Sequence, residues 1–233
     1  MARLPVRVAV AGLLAEFALL FGLHRLVGLG LAGWLAGLGY ALLGGAFLAA
    51  GLRRVNAHSF GPANRITLAR AVLVGGVLAL VAPPGAAPQP AMVTLATVAL
   101  GMDALDGWLA RAIRESSPLG ARFDLEVDAF LILVLSVEVA GRLGGWVLAI
   151  GAMRYAFVAA GAVLPWLRRQ PPSRWSSKVV AAVQGVVLVV AAAGVLPAPV
   201  ATIAVLSALA ALTWSFTRDV GWLYRNRVTT PPR

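Results

Sequence analysis

Residues 103–128 read DALDGWLARAIRESSPLGARFDLEVD and hold six of the nine Asp and Glu residues in a chain of 233. The segments on both sides are almost uniformly apolar. A carboxylate in or beside hydrocarbon is costly and persists mainly where function needs it. The rest of the chain is therefore expected to be a scaffold that holds this acidic stretch at a chosen depth in a membrane.

Composition agrees with that expectation. The chain is 60% hydrophobic and 12% charged, whereas a soluble domain is usually about 25% charged. The fold class expected is all-α: a polytopic integral membrane helical bundle. The net charge of +11 fits cationic loops facing an anionic leaflet. Nucleic acid is not an expected partner, because no basic patch carries interleaved aromatic residues. The absence of cysteine excludes disulfide and thiolate chemistry. The N-terminus has a basic start and an apolar run, as a signal peptide does. Glu16 within the run and a second apolar segment directly after it favour a retained span.

A membrane-spanning helix needs about 20 mostly apolar residues. Eight stretches qualify: 5–23, 27–51, 62–82, 91–113, 120–140, 143–167, 179–196 and 198–217. The family resemblance carried by the acidic stretch, given below, makes the last six a core and the first two an N-terminal extension, dividing the chain into 1–52 and 53–233, with a short basic tail over 218–233. Seventeen of the 20 Lys and Arg residues fall in connections on one side, only Arg25 and Arg142 on the other, and Arg154 lies inside a span. The positive side is expected to be cytoplasmic, which puts both termini and the acidic stretch there, in a multi-pass protein of the plasma membrane. RRVNAHSF (53–60) is too polar to span and is expected to lie along the surface as an interfacial helix. Pro62 suits a first helical turn, and Asn64, Thr67 and Arg70 follow it at near-helical spacing. Helix capping is the plain structural reading of Asn64 and Thr67.

Helical periodicity turns the acidic stretch into two facing stripes. Asp103, Asp106, Gly107 and Ala110 share one face, with Arg111 at its margin, and Gly120, Asp124 and Asp128 form an i, i+4, i+8 line on the next helix. The connection over 114–119 is short, so the two helices should be antiparallel neighbours and bring four carboxylates together. Four like charges that close cannot all ionise without cations, and an all-oxygen ligand set selects hard ions, chiefly magnesium or manganese. The small residues leave room for a bulky group near the backbone, and Arg111 offers a bidentate donor for phosphate oxygens. Such a set suits a diphosphate. A structural ion pair with Arg111, Arg114 or Arg122 is the plainer reading of any two of these acids, and helix packing that of the small residues. Glu126 lies off the Asp124–Asp128 face, Glu115 lies in the loop, and Glu16 and Glu138 are isolated. None of these four is assigned to the site.

The pattern Asp103-x2-Asp106-Gly107-x2-Ala110-Arg111-x8-Gly120-x3-Asp124-x3-Asp128 resembles the signature of the CDP-alcohol phosphotransferase family, matched at every fixed position. The PANRIT segment from Pro62 is similar to the start of that family's first core helix. The resemblance spans about 60–220 and leaves the two N-terminal spans unexplained. It implies transfer of a phosphatidyl group from a CDP-linked lipid, commonly CDP-diacylglycerol, to a polar alcohol with release of CMP. It implies two Mg2+ or Mn2+ ions held by Asp103, Asp106, Asp124 and Asp128, with Asp128 also the general base. Asn64, Arg65, Ile66 and Thr67 would hold the CDP moiety with Gly107, Ala110, Arg111, Ser117 and Gly120. Membrane lipids surround such a protein, and the family is compatible with a homodimer.

The acceptor is less specified. Arg154, Arg168 and Lys178 could bind a phosphorylated alcohol such as glycerol 3-phosphate or inositol phosphate; the plain reading of the loop cluster is the positive-inside bias. Ala129 stands where a common phosphatidylglycerophosphate synthase pattern has lysine, which counts against glycerol 3-phosphate. A carboxylate-lined divalent cation transporter is the competing class, and a catalytically silent scaffold the third. Transport calls for acids spread along a path across the bilayer, which the clustering of these acids opposes.

Overall fold

The structure, a computed structural model, describes residues 3–55, 60–83, 90–113, 118–169 and 175–227, with backbone alone for residues 3 and 104–113. Among the described residues every regular element is helical. The helices are α1 (Arg3–Val27), α2 (Leu31–Arg54), α3 (Pro62–Val81), α4 (Pro90–Ile113), α5 (Pro118–Leu143), α6 (Leu148–Val163), α7 (Trp175–Ala192) and α8 (Ala198–Arg225), with 3-10 turns at Gly145–Val147 and Pro165–Arg168. Among the described residues six segments are long and apolar enough to cross a membrane: Leu4–Val27, Leu31–Arg54, Pro62–Val81, Gly145–Val163, Trp175–Ala192 and Ala198–Arg225. The described side chains of α4 form a shorter apolar stretch, Pro90–Asp103, and α5 carries Arg122, Asp124, Glu126 and Asp128 in its first three turns. The polytopic all-helical class read from composition is the class observed.

Several boundaries move for physical reasons. The span expected over 143–167 is interrupted at both ends by 3-10 turns. Gly144 at φ 105° takes a conformation open mainly to glycine, and it separates α5 from the next turn. The last helix runs to Arg225, two turns beyond the apolar stretch. Arg53 and Arg54 complete the last turn of α2, where cations suit the carbonyl end of a helix. Of the interfacial helix expected over 53–60, residues 56–59 lie outside those described, and Arg53 and Arg54 belong to α2 instead.

The chain forms two compact units, Met1–Val134 and Leu135–Arg233, with the boundary inside α5. In the first, α3 packs against α1, α2 and α4, and α1 against α2. Small residues permit this. A Cβ at Gly33 of α2 would lie 2.5 Å from the carbonyl oxygen of Ala79 on α3, so backbone meets backbone there. One turn earlier on α3 the Glu16 carboxyl of α1 presses against Gly75 and leaves no room for a side chain at that position. Glu16 is 1% exposed, so its role is internal to this packing. The α2 helix also reaches the start of α5. Tyr40 stacks on Phe130 with ring centroids 4.8 Å apart, and a Cβ at Gly51 would lie 2.5 Å from Leu119.

In the second unit α7 packs on α8, and α6 and the Pro165–Arg168 turn pack on each other and on α8. The buried Gln184 of α7 donates from Nε2 to the Ala208 carbonyl of α8 at 2.7 Å. Arg142 donates to the Ala192 carbonyl at 2.5 Å and lies 3.7 Å from Glu138. Glu138, isolated in the sequence, is thus one turn from a cation on its own helix.

The α2–α3 contact can be tested. Gly33→Ala forces its new methyl against the Ala79 carbonyl, which cannot turn aside, as well as against the Leu29 side chain, so it should cost about 1–3 kcal/mol through overpacking. The fall appears as a lowered midpoint in thermal unfolding of the purified protein in detergent. An unchanged midpoint would show that α2 does not press on α3 there.

Candidate metal centre

Three helices of the first unit build the site. Asp103 stands on α4, and Asp124 and Asp128 stand one turn apart on α5. One carboxylate oxygen from each of the three lies within 4.8 Å of the others. Three of the four aspartates on the two stripes read from the sequence therefore come together. The α4 backbone continues helically through Ile113, which keeps Asp106, Gly107, Ala110 and Arg111 in the register that the periodicity requires. Their side chains, and Ser117 entirely, lie outside the described residues. Gly120 sits in the first turn of α5.

The centre of the cluster is a residue that the sequence pattern left out. Arg70 of α3 is 1% exposed, yet its Nη1 donates to Asp103 at 2.9 Å and to Asp124 at 2.7 Å, and its Nη2 donates to Asp128. A guanidinium is planar and presents several donors in a fixed fork, so it can serve three carboxylates where a lysine would serve fewer. A signal existed in the sequence. Arg70 lies two turns into an otherwise apolar helix, on the Asn64–Thr67 stripe, in a chain whose acids are concentrated elsewhere. An arginine at such a depth needs a partner.

The nucleotide-site residues proposed on α3 occupy its first turns. The cap position is Gly61 and Pro62 is the first helical residue, so neither Asn64 nor Thr67 caps the helix. The Thr67 hydroxyl donates to the Ala63 carbonyl at 3.2 Å, and Arg65 is exposed. Thr67 precedes Arg70 by one turn on the same face.

The acceptor candidates belong to the second unit. Arg154 lies on α6 and is half-buried, and Lys178 is exposed in the first turn of α7. Arg168 donates from Nε to the Gly161 carbonyl at 2.8 Å and from Nη2 to the Ala162 carbonyl at 3.3 Å. It thus satisfies carbonyls that the end of α6 leaves without helical partners.

The family model for CDP-alcohol phosphatidyltransferases matches residues 60–217, which covers α3 through most of α8 and takes in the whole aspartate cluster. The chain belongs to the CDP-alcohol phosphatidyltransferase family. Comparison with curated proteins and with solved structures finds no match. Family membership makes the chain a membrane-embedded transferase of phosphatidyl groups carried on CDP-alcohols, and this family generally depends on divalent metal. The donor chemistry fits such an ion: three carboxylates with hard oxygens, converging from two helices, are the ligand type that magnesium and manganese take.

A family member with this cluster should lose metal when one ligand is neutralised. Removing even an outer-shell partner typically costs about 10–100-fold in metal affinity, and Asp124→Asn should cost at least that. Titration of the purified variant with Mn2+, read by the electron paramagnetic resonance of the free ion, measures it. Unchanged affinity would remove Asp124 from the ligand set.

Proposed function

We propose that this protein transfers the phosphatidyl group of CDP-diacylglycerol to a polar alcohol or alcohol phosphate and releases CMP, as a step of phospholipid synthesis. The observation that carries this reading is the convergence of Asp103, Asp124 and Asp128 on the region that the family model covers. Asp106, one turn beyond Asp103, completes the ligand set, and two Mg2+ or Mn2+ ions are the cofactors. When bound they would supply Lewis-acid polarisation of the diphosphate and neutralise charge on the departing CMP.

The residues of the chain do the remaining work. Asp128 accepts the proton of the acceptor hydroxyl. The freed oxygen bonds to the phosphorus that bears diacylglycerol, and the bond from that phosphorus to the CMP oxygen breaks. CMP leaves with the electron pair. Asn64, Arg65, Ile66 and Thr67 on α3 hold the cytidine end, together with Gly107, Ala110, Arg111, Ser117 and Gly120. The glycines let the nucleotide approach backbone closely, and Arg111 grips phosphate oxygens. Arg154, Arg168 and Lys178 receive an acceptor phosphate of the glycerol 3-phosphate or inositol phosphate type. Residues 53–233 form the catalytic domain and 1–52 an extension that braces it. The positive-inside bias supports a cytoplasmic site and cytoplasmic termini in the plasma membrane. The protein is further proposed to work as a homodimer.

The test is release of CMP from CDP-diacylglycerol by purified protein with Mg2+ or Mn2+ and a panel of alcohols and alcohol phosphates. Mass spectrometry of the lipid product identifies the acceptor. Failure of every acceptor in the panel would overturn the transferase reading. Asp128→Asn should lower turnover by about 100–10,000-fold, the usual worth of a general base, even at Mn2+ concentrations that saturate the variant's site. A fully active variant would remove Asp128 as base.

A further inference from the structure

The aspartate cluster holds a cation of its own. We infer that Arg70 is the resident counter-cation of the site, which restrains the cluster's affinity for a divalent ion and keeps it receptive to a diphosphate. The inference rests on Asp103, Asp124 and Asp128 being metal ligands.

The geometry supplies the first reason. Arg70 engages Oδ1 of each of the three aspartates. The second oxygen of each carboxylate makes no hydrogen bond to a described residue, so ligand oxygens remain while the arginine stays in place. An ion and the guanidinium would then share the same three carboxylates. Two cations that close repel, and burial weakens the screening between them.

Charge arithmetic gives the second reason. Four ionised aspartates carry −4, which two divalent ions bring to zero. Arg70 adds a positive charge that remains to attract an incoming diphosphate, and without it that surplus is lost. An ion facing three uncompensated carboxylates is also neutralised by them, and so polarises a phosphate less.

The sign of the effect follows from the helices. Asp124 and Asp128 are i and i+4 on α5, so helix geometry rather than the arginine sets their spacing. Removing Arg70 therefore removes repulsion of the ion more than it loosens the ligand set. A merely structural arginine would have the opposite signature, with weaker metal binding in a loosened site.

The experiment compares metal-free wild-type protein with R70Q and R70K, all purified in nanodiscs and titrated with Mn2+ alone. R70Q should bind Mn2+ about tenfold more tightly or better, as removal of a neighbouring positive charge requires. R70K keeps a charge without the guanidinium fork and should fall between wild type and R70Q. Bound Mn2+ should also raise the unfolding temperature of R70Q more than that of wild type, since tighter binding to the folded state stabilises it more. At saturating Mn2+ the KM of R70Q for CDP-diacylglycerol should rise. If R70Q does not fold, R70M, which fills a similar volume without charge, is read in its place. Equal or weaker Mn2+ binding by the uncharged variant overturns the role of Arg70 and leaves the metal centre standing. Absence of Mn2+ binding in wild type and variant alike overturns the metal centre and this inference together.

Discussion

A guanidinium withdrawn from solvent has to be matched by negative charge, and Arg70 finds that match on Asp103, Asp124 and Asp128. The match joins α3 to α4 and to α5, helices that approach one another from distant parts of the sequence. Leaving either side of a buried ion pair unmatched typically costs about 3–5 kcal/mol. The cluster is therefore structural and functional at once. The acids that could serve a metal also keep an arginine at the heart of the first unit, and the arginine ties α3 to the helices that carry them.

That mutual dependence gives the N-terminal helices a physical role. They lie outside the matched family region, yet α1 and α2 both pack on the helix that carries Arg70. The bare backbone of Gly33 lets α2 close on α3, and the stacking of Tyr40 on Phe130 ties α2 to α5 within one turn of Asp128. The extension thus clamps two of the three helices that bear the site. Glu16, wedged against Gly75, shows how tightly that clamp is fitted.

Much of this was legible in the sequence, because the signals were of the strong kinds. Long apolar runs announce helices in a bilayer, and carboxylates at i, i+3 and i, i+4 announce shared faces, so Asp103, Asp124 and Asp128 were found before any coordinates. Arg70 was seen on its stripe and left out of the site. Periodicity describes one helix at a time, whereas its partners come from two other helices 33 to 58 residues away. The 3-10 turns around α6 escaped for a different reason. Hydropathy averages over a window and does not register the single left-handed glycine, Gly144, that breaks the helix. Thr67 read as a cap because its residue type favours caps, but its hydroxyl turns back to the carbonyl four residues earlier.

The length of α8 has a consequence of its own. Its 28 residues span about 42 Å at 1.5 Å per residue, against a hydrocarbon core of about 30 Å. The surplus falls where Trp214, Trp222 and Tyr224 alternate with Arg218 and Arg225, the mixture that settles at the boundary between acyl chains and headgroups. Trp166 meets Tyr224 edge-on, and Arg169 donates to the Asn226 carbonyl, so this end is clasped rather than free to fray. Such a helix can tilt in a thin bilayer and draw further in as the bilayer thickens. The second unit thereby carries a helix long enough to meet bilayers of more than one thickness.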